Sequence, residues 1–218
     1  MRLSARLADR VVDLSARRPS GWFARKAYGG TLGAPKGHEE VFDRILALLE
    51  PTPDERCLEV GCGGGRLLER LLANGSSASG LDHSPDMLNL SAARNPLALA
   101  ESRLELKLAD ASELPWADDT FTSVISANTF FFLEHPEQLL AEILRVLKPD
   151  GRAVIATVPG PLPPGSLRNW WVYVWGARMH VYDDETMRSM FEHAGFGTAT
   201  VTSETLGTEP LQMVRGTR

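Results

Sequence analysis

Short apolar runs alternate with segments of helical periodicity between residues 57 and 158, and this alternation limits the possible folds more than any other feature. Strands are predicted at CLEVG, ASGLD, RLELKLAD, FTSVISAN and RAVIATVP, and the helix PEQLLAEILRVLKPDG is predicted to close at Gly151. Strand–helix–strand units of this length build parallel sheets. Helix DDETMRSMFEHAGF and the β-like runs TATVTSE and LQMVRG follow. We therefore expect an α/β, Rossmann-like doubly wound sheet, mostly parallel with a C-terminal antiparallel hairpin, and helices on both faces.

The composition restricts the class of protein. The chain has 218 residues, 43% of them hydrophobic, which is enough for one sizeable core. Its net charge of −5 argues against a surface built for nucleic acid. Cys57 and Cys62 are too few for a zinc site and are typical of reduced thiols, and no apolar run reaches membrane-spanning length. We expect a cytoplasmic protein without a bound metal.

The two ends of the chain differ from the central region. Residues 3–17 place leucine and valine at helical intervals beside a stripe of arginines, and residues 19–37 are rich in glycine and proline. We expect residues 1–40 to form an N-terminal lid helix and loop. Residues 41–218 should form the main domain, with an insertion at about 159–182 that contains the aromatic stretch NWWVYVW.

The sequence CLEVGCGGG places a glycine cluster directly after the first strand. In a doubly wound sheet this strand-to-helix turn is a usual ligand site, because its backbone N–H groups face outward. Gly61, Gly63 and Gly65 would let a ligand touch the backbone, although a tight connection without a ligand would use glycines too. Asp82 and Asp110 end the second and third strands, where carboxylates can accept hydrogen bonds from a ribose and a purine amino group. The three strand ends together predict a ligand with an adenosine-like moiety.

Nicotinamide dinucleotides are the first competing ligand. Their fingerprint G-x-G-x-x-G requires a glycine where this chain has Arg66, and no tyrosine is followed four residues later by lysine. A P-loop is excluded because no G-K-[ST] ends the turn. An NAD-dependent oxidoreductase is therefore a remote alternative.

The pattern E-x-G-x-G-x-G after a short strand resembles motif I of the class I S-adenosylmethionine-dependent methyltransferases. GLDHSPDML resembles the family's acidic loop, LADASELPWADDTFTSVISAN its adenine-contacting stretch and fourth strand, and LLAEILRVLKPDGRAVIA its helix, turn and fifth strand. The motifs follow in the family's order over residues 57–158. The subgroup that this chain resembles is the type-11 methyltransferases, which include C-methyltransferases of ubiquinone and menaquinone biosynthesis. The resemblance implies S-adenosylmethionine as cofactor and in-line transfer of its methyl group to a small molecule.

The resemblance also implies roles for individual residues. Glu59 would support the loop, Asp82 would accept the ribose hydroxyls, and Asp110 would accept the adenine amino group. The full implied cofactor set is Glu59, Gly61, Cys62, Gly63, Asp82, His83, Met87, Asp110, Ala111 and Asn128. Two features depart from the family: Phe131 and Phe132 stand where histidines are frequent, and the later turn reads KPDG in place of KPGG.

Aromatic residues after the fourth and fifth strands predict a pocket for a flat or lipophilic methyl acceptor, although some of them will belong to the core. The candidate pocket residues are Tyr28, Phe131, Phe132, Trp170, Trp171 and Trp175. His180 and His38 are the candidate catalytic residues, and a base is needed only if the acceptor must lose a proton.

The N-terminal segment and the chemistry each leave alternatives open. Residues 1–26 carry seven Arg or Lys against two Asp, which fits a solvated lid, a guide for an anionic acceptor, or a weak contact with a membrane surface. Transfer to oxygen, nitrogen or carbon is compatible with the sequence. The main functional alternative is a protein of the same fold that binds the cofactor but no longer methylates.

Overall fold

The computed structural model describes residues 38–160, 179–206 and 209–218. The strands are β1 (Arg56–Val60), β2 (Ser77–Asp82), β3 (Leu104–Leu108), β4 (Phe121–Ala127), β5 (Leu147–Thr157), β6 (Thr198–Leu206) and β7 (Glu209–Thr217). The helices are α1 (His38–Leu49), α2 (Arg66–Ala73), α3 (Pro85–Arg94), α4 (Pro96–Ala100), α5 (Pro136–Val146) and α6 (Asp184–Ala194), with a 3-10 helix at Phe130–Phe132.

The described strands form one seven-stranded sheet in the order β3-β2-β1-β4-β5-β7-β6. The pairs among β1 to β5 are parallel, whereas β7 runs antiparallel to both β5 and β6. The predicted α/β, mostly parallel sheet with an antiparallel C-terminal hairpin is confirmed. The strand order reverses between β1 and β4, and ligands of doubly wound sheets bind at the carboxyl ends of the strands at this point.

Alternate side chains of the central strands face opposite layers of helices. Val124 of β4 belongs to a buried cluster with Ile143 of α5, while the next residue, Ile125, belongs to a second cluster with Ile45 of α1. All four side chains are fully buried. Because both faces of the sheet are covered, its carboxyl edge is left as the place where a ligand can reach several strands.

The predicted end of the helix before the fifth strand is wrong. We expected this helix to close at Gly151, but α5 ends at Val146 and β5 begins at Leu147. Pro149 disfavours helical backbone in the residue before it, and Leu147 pairs with Phe121 of β4. The KPDG turn is therefore part of β5, with Asp150 at a φ of 63°.

Several predictions about the chain ends lie outside the described residues. These include the lid at 1–37 and most of the insertion, with Tyr28, Trp170, Trp171 and Trp175. Within the described ranges, no helix combines the length and apolar character needed to cross a membrane.

Candidate active site

The glycine turn after β1 has backbone that only glycine adopts easily. Gly61, Gly63 and Gly65 have φ angles of 77°, 49° and 74°. A Cβ added to Gly61 would lie 2.1 Å from Oγ1 of Thr129, whereas one added to Gly63 would meet nothing within 4 Å. Gly61 therefore packs against the loop after β4, and Gly63 leaves open space beside its backbone.

Asp82 ties this turn to the second strand. Its Oδ2 accepts a hydrogen bond from the Gly63 N–H at 2.9 Å, and its Oδ1 accepts one from the Ser84 N–H at 2.8 Å. The Leu81 carbonyl accepts two more, from the N–H groups of Gly61 and Cys62. Asp82 is only 6% exposed. Because each carboxylate oxygen can accept two hydrogen bonds, Asp82 keeps capacity for donors on a ligand.

Glu59 lies beneath the same turn. The residue is 3% exposed, and its Oε2 has no hydrogen-bond partner. Burial raises the pKa of the Glu59 carboxyl well above its usual range, and the negative charge of Asp82 raises this pKa further. A hydrogen bond from the backbone N–H of Leu68 acts in the opposite direction. The turn is thus backed by two close carboxyl groups, of which one already holds the turn in place.

The remaining candidates for the cofactor site have different exposures. His83 and Asp110 are exposed, while the side chains of Cys62 and Met87 are 5% and 2% exposed. The Oδ1 of Asp110 accepts hydrogen bonds from the N–H and the hydroxyl of Ser112, at 2.9 and 2.7 Å. Burial raises the pKa of the Cys62 thiol well above its usual value. Because its side chain is buried, Cys62 can contact a ligand mainly through its backbone.

Asn128 marks the switch point between β1 and β4. It has a φ of 55°, an uncommon conformation for a residue other than glycine, and its N–H donates to the Ala156 carbonyl at 2.9 Å. The next residue, Thr129, donates from its hydroxyl to the Ala127 carbonyl at 3.2 Å and contacts Gly61. Backbone held in a sparsely populated region next to a glycine turn is typical of functional sites.

The predicted acceptor side of the carboxyl edge includes the 3-10 helix after β4. The backbone N–H of His180 donates to the Phe131 carbonyl at 2.8 Å, which brings this exposed histidine to the carboxyl edge of the sheet. Phe131 is buried, Phe132 is half-buried, and their ring centroids are 4.4 Å apart. The Tyr182 ring meets Phe130 edge-on at 6.1 Å. Burial raises the pKa of the Tyr182 phenol, and the charge of Glu137 adds to this effect.

His38, the other candidate base, is the first residue of α1. The next residue, Glu39, forms an ion pair with Arg66 at the start of α2, with 3.1 Å between the charged atoms. The beginning of α1 therefore lies beside the helix that follows the glycine turn.

Known methyltransferases resemble the central part of this chain. Residues 58–155 match a protein family model described as a methyltransferase domain, of type 11. The demethylmenaquinone methyltransferase of Clavibacter sepedonicus is 36% identical over 124 residues, which is 57% of this chain and 49% of that protein. The chain spans less than half the length of the curated relatives it matches first.

Solved structures show the same fold. Phosphoethanolamine N-methyltransferase 2 of Haemonchus contortus, solved with phosphomonomethylethanolamine and S-adenosylhomocysteine, superimposes with a TM-score of 0.77 at 17% identity, covering 97% of this chain and 60% of that one. The [4+2]-cyclase SpnF superimposes with a TM-score of 0.71 at 17% identity, covering 83% and 80%.

Over residues 58–155, this chain resembles the type-11 class I methyltransferases. The family depends on S-adenosylmethionine, and the residues present fit this cofactor. The space beside Gly63 admits a ligand against bare backbone, and Asp82 retains acceptor capacity for hydroxyl groups. The unpartnered Oε2 of Glu59 would place a carboxyl group beneath the positive charge that this cofactor carries.

Sequence reasoning missed the residues that hold the glycine turn from outside. The Nε of Arg94 donates to the Gly64 carbonyl at 2.8 Å, and the side-chain amide of Asn95 donates to the Gly65 carbonyl at 3.3 Å. Asn95 precedes Pro96 at the junction of α3 and α4, and this helix break was the one signal available. Nothing in the sequence pattern indicated the contact of Thr129 with Gly61.

Proposed function

We propose that this domain binds S-adenosylmethionine across the carboxyl ends of β1, β2 and β3 and transfers its methyl group to a small aromatic or lipophilic acceptor. The observation that carries the proposal is the opening beside Gly63, next to a buried carboxylate that already holds the Gly63 N–H. A tight connection without a ligand would not require empty space at that glycine.

The residues of the turn and of the strand ends bind different parts of the cofactor. Gly61 and Gly63 present backbone to the methionine part of the cofactor, and Asp82 accepts hydrogen bonds from the ribose hydroxyls. His83 and Met87 flank the adenine, while Asp110 and the backbone N–H of Ala111 meet its polar edge. Glu59 and Cys62 support the turn from inside, and the carbonyl of Asn128 faces the amino-acid end of the cofactor.

The protein contributes to the reaction mainly by positioning the acceptor and by excluding water from the site. S-adenosylmethionine supplies a methyl group that is already activated on a sulfonium sulfur. The protein must hold the acceptor in line and exclude water. Phe131 and Phe132 provide apolar surface beside the switch point for this purpose. His180 takes a proton from acceptors that must lose one, and His38 contacts the cofactor or the acceptor from the start of α1.

The aromatic or lipophilic class of acceptor rests on two supports. Phenylalanines occupy the acceptor side of the carboxyl edge, and Tyr182 adds an aromatic ring within the described part of the insertion. In addition, relatives of this chain include a demethylmenaquinone methyltransferase. Tyr28, Trp170, Trp171 and Trp175 stay predicted pocket residues, and contact of residues 1–26 with a membrane surface stays a prediction.

The main alternative is a domain that binds S-adenosylmethionine and does not methylate. This alternative is supported by the similarity in fold to SpnF, a protein described as a [4+2]-cyclase. The hypothesis of an NAD-dependent oxidoreductase is disfavoured, because the methyltransferase family model covers the glycine turn itself.

A transfer assay tests this proposal. The purified protein is incubated with methyl-labelled S-adenosylmethionine and a panel comprising a naphthoquinol, a sterol, a simple phenol and phosphoethanolamine. We expect label in one of the first three and none in phosphoethanolamine, with Asp82→Asn as the binding-deficient control. Transfer to phosphoethanolamine alone would contradict the acceptor class, and cofactor binding without transfer to any acceptor would favour the alternative.

A further inference from the structure

Glu59 is a buried acid for which the proposed chemistry has no direct use. It lies in β1 between Gly80 of β2 and Ile125 of β4, on the face covered by α2. A Cβ on Gly80 would lie 2.7 Å from a methyl group of Leu68 and 2.9 Å from the sulfur of Cys62, so this layer is tightly packed and apolar. An ionised carboxylate in such a layer loses its hydration and needs compensating partners.

The groups that face Glu59 supply little compensation. On β2, Asp82 brings a second carboxylate, and its own oxygens are engaged by Gly63 and Ser84. Within the turn, the buried Cys62 thiol has a pKa raised by burial and is neutral. From α2, the backbone N–H of Leu68 is the group that favours the ionised form of Glu59.

The basic side chains of α3 and of the loop after β2 make their contacts with groups other than Glu59. Arg94 of α3 donates to the Gly64 carbonyl, and its Nη1 lies 3.4 Å from a carboxylate oxygen of Glu69 on α2. The Nδ1 of His83 lies 3.9 Å from Asp82 on an exposed side chain. Ile125, the neighbour on β4, is apolar. Two close carboxyl groups in this setting do not both ionise readily.

We propose that Glu59 holds a proton in the free domain and releases it to solvent when S-adenosylmethionine binds, so that the domain distinguishes the sulfonium donor from its neutral thioether product by charge. This inference rests on the proposed function, because it requires the cofactor to lie on the glycine turn. Charge balances at each stage. The cationic cofactor enters, one proton leaves the Glu59 carboxyl, and the proton returns once the methyl group and the positive charge of the sulfur are gone.

Two physical effects couple the ligand to Glu59. A positive charge over the turn stabilises a carboxylate beneath it, because the interior screens charges weakly. Ribose hydroxyls that donate to Asp82 also disperse the negative charge that opposes ionisation of Glu59. The thioether product shares the second effect and lacks the sulfonium charge of the first, so it should release less proton. Cofactor affinity should therefore rise with pH, by at most about tenfold per pH unit for one proton, and more for the donor than for the product.

Calorimetric titration in two buffers of different ionisation enthalpy measures this proton directly. The full-length protein is titrated at one pH with S-adenosylmethionine and with S-adenosylhomocysteine, and the buffer dependence of the heat gives the protons exchanged. We expect net release with the first ligand and less release with the second. In Glu59→Gln the difference should vanish while binding persists. Glu101→Gln, an exposed acid before the amino end of β3, is the matched control and should behave like the unmodified protein.

The outcomes separate this inference from the function on which it rests. Binding of S-adenosylmethionine with no proton release, or with equal release for both ligands, would overturn the role of Glu59 and leave the cofactor site standing. Failure of the unmodified protein to bind S-adenosylmethionine would overturn both. If Glu59→Gln does not fold, the affinities of the unmodified protein for the two ligands from pH 6 to 9 decide, since a ratio independent of pH contradicts the proposal.

Discussion

The carboxyl edge of the sheet has two halves that differ in how they are built. The proposed cofactor half, at the ends of β1, β2 and β3, consists mainly of backbone: three glycines with positive φ and a buried aspartate that accepts a hydrogen bond from an N–H. The proposed acceptor half, at the ends of β4 and β5, consists of side chains carried by the 3-10 helix and residues 179–183. A backbone site suits a ligand that stays the same across a family, whereas exchangeable side chains suit acceptors that differ.

The largest expected effect tests the acceptor half. With an acceptor that must lose a proton, His180→Ala should lower kcat by about 10²- to 10⁴-fold, the usual contribution of a general base, and leave S-adenosylmethionine affinity unchanged. His193→Ala is the matched control, because His193 is exposed on α6 and donates from Nδ1 to the Ser189 carbonyl. Turnover and calorimetric binding are measured together. Equal losses in both quantities would mean that His180 acts on the cofactor half.

The next effect tests the backbone character of the cofactor half. Gly61→Ala forces a Cβ to within 2.1 Å of Thr129 at a φ of 77°, and we expect a loss of about 2–4 kcal/mol in the free energy of unfolding. Gly63→Ala carries a similar φ without a clash, so it should cost about 1 kcal/mol in stability yet weaken cofactor binding clearly. Denaturant unfolding and calorimetry measure the two quantities. Reversed order of the two stability losses would contradict the geometry of the turn.

The third prediction concerns smaller losses of cofactor affinity and compares two acidic residues within the cofactor half. Asp82→Asn should weaken S-adenosylmethionine binding by about 1–3 kcal/mol, because an NH₂ group, which can only donate hydrogen bonds, replaces one of the two buried carboxylate oxygens. Asp110→Asn should weaken binding less, since Asp110 is exposed and water can replace lost interactions. Dissociation constants for the two variants decide the matter. A larger loss at Asp110 would show that the adenine end dominates binding.

The last prediction concerns the pH dependence of folding. The pKa of Glu59 is raised in the folded protein, so its contribution to stability is fully present below its unfolded pKa and is lost as the pH rises through the folded value. Glu59→Gln should therefore lose less stability than the unmodified protein between pH 5 and pH 9. Denaturant unfolding of both proteins at several pH values in this range measures the change in the free energy of unfolding. A Glu59→Gln variant with unchanged pH dependence would mean that the carboxyl is already ionised.

The two halves also differ in how far the sequence could predict them. Glycine spacing and acids near strand ends are local signals, which is why the turn and Asp82, the last residue of β2, could be predicted. The third strand was predicted to end at Asp110, but β3 ends at Leu108, so Asp110 lies in the loop two residues beyond it. Contacts such as Thr129 with Gly61, or Arg94 with Gly64, join residues 30 or more positions apart and leave no periodic signal. The pairing of His180 with Phe131 is of the same kind.

Helix boundaries show the same limit at the level of the fold. The helical periodicity of PEQLLAEILRVLKPDG continues past Val146, but pairing of Leu147 with β4 and the restriction imposed by Pro149 end the helix there. Local propensity therefore located the element, while tertiary pairing set its end.

Calorimetric titration of the protein with S-adenosylmethionine, beside Asp82→Asn and beside NAD, tests the central claim most directly. We expect saturable one-to-one binding of S-adenosylmethionine, a clearly weaker affinity in Asp82→Asn, and no heat of binding from NAD. Binding of NAD in place of S-adenosylmethionine, or equal affinity of both proteins for S-adenosylmethionine, would contradict a cofactor site built on the glycine turn and Asp82.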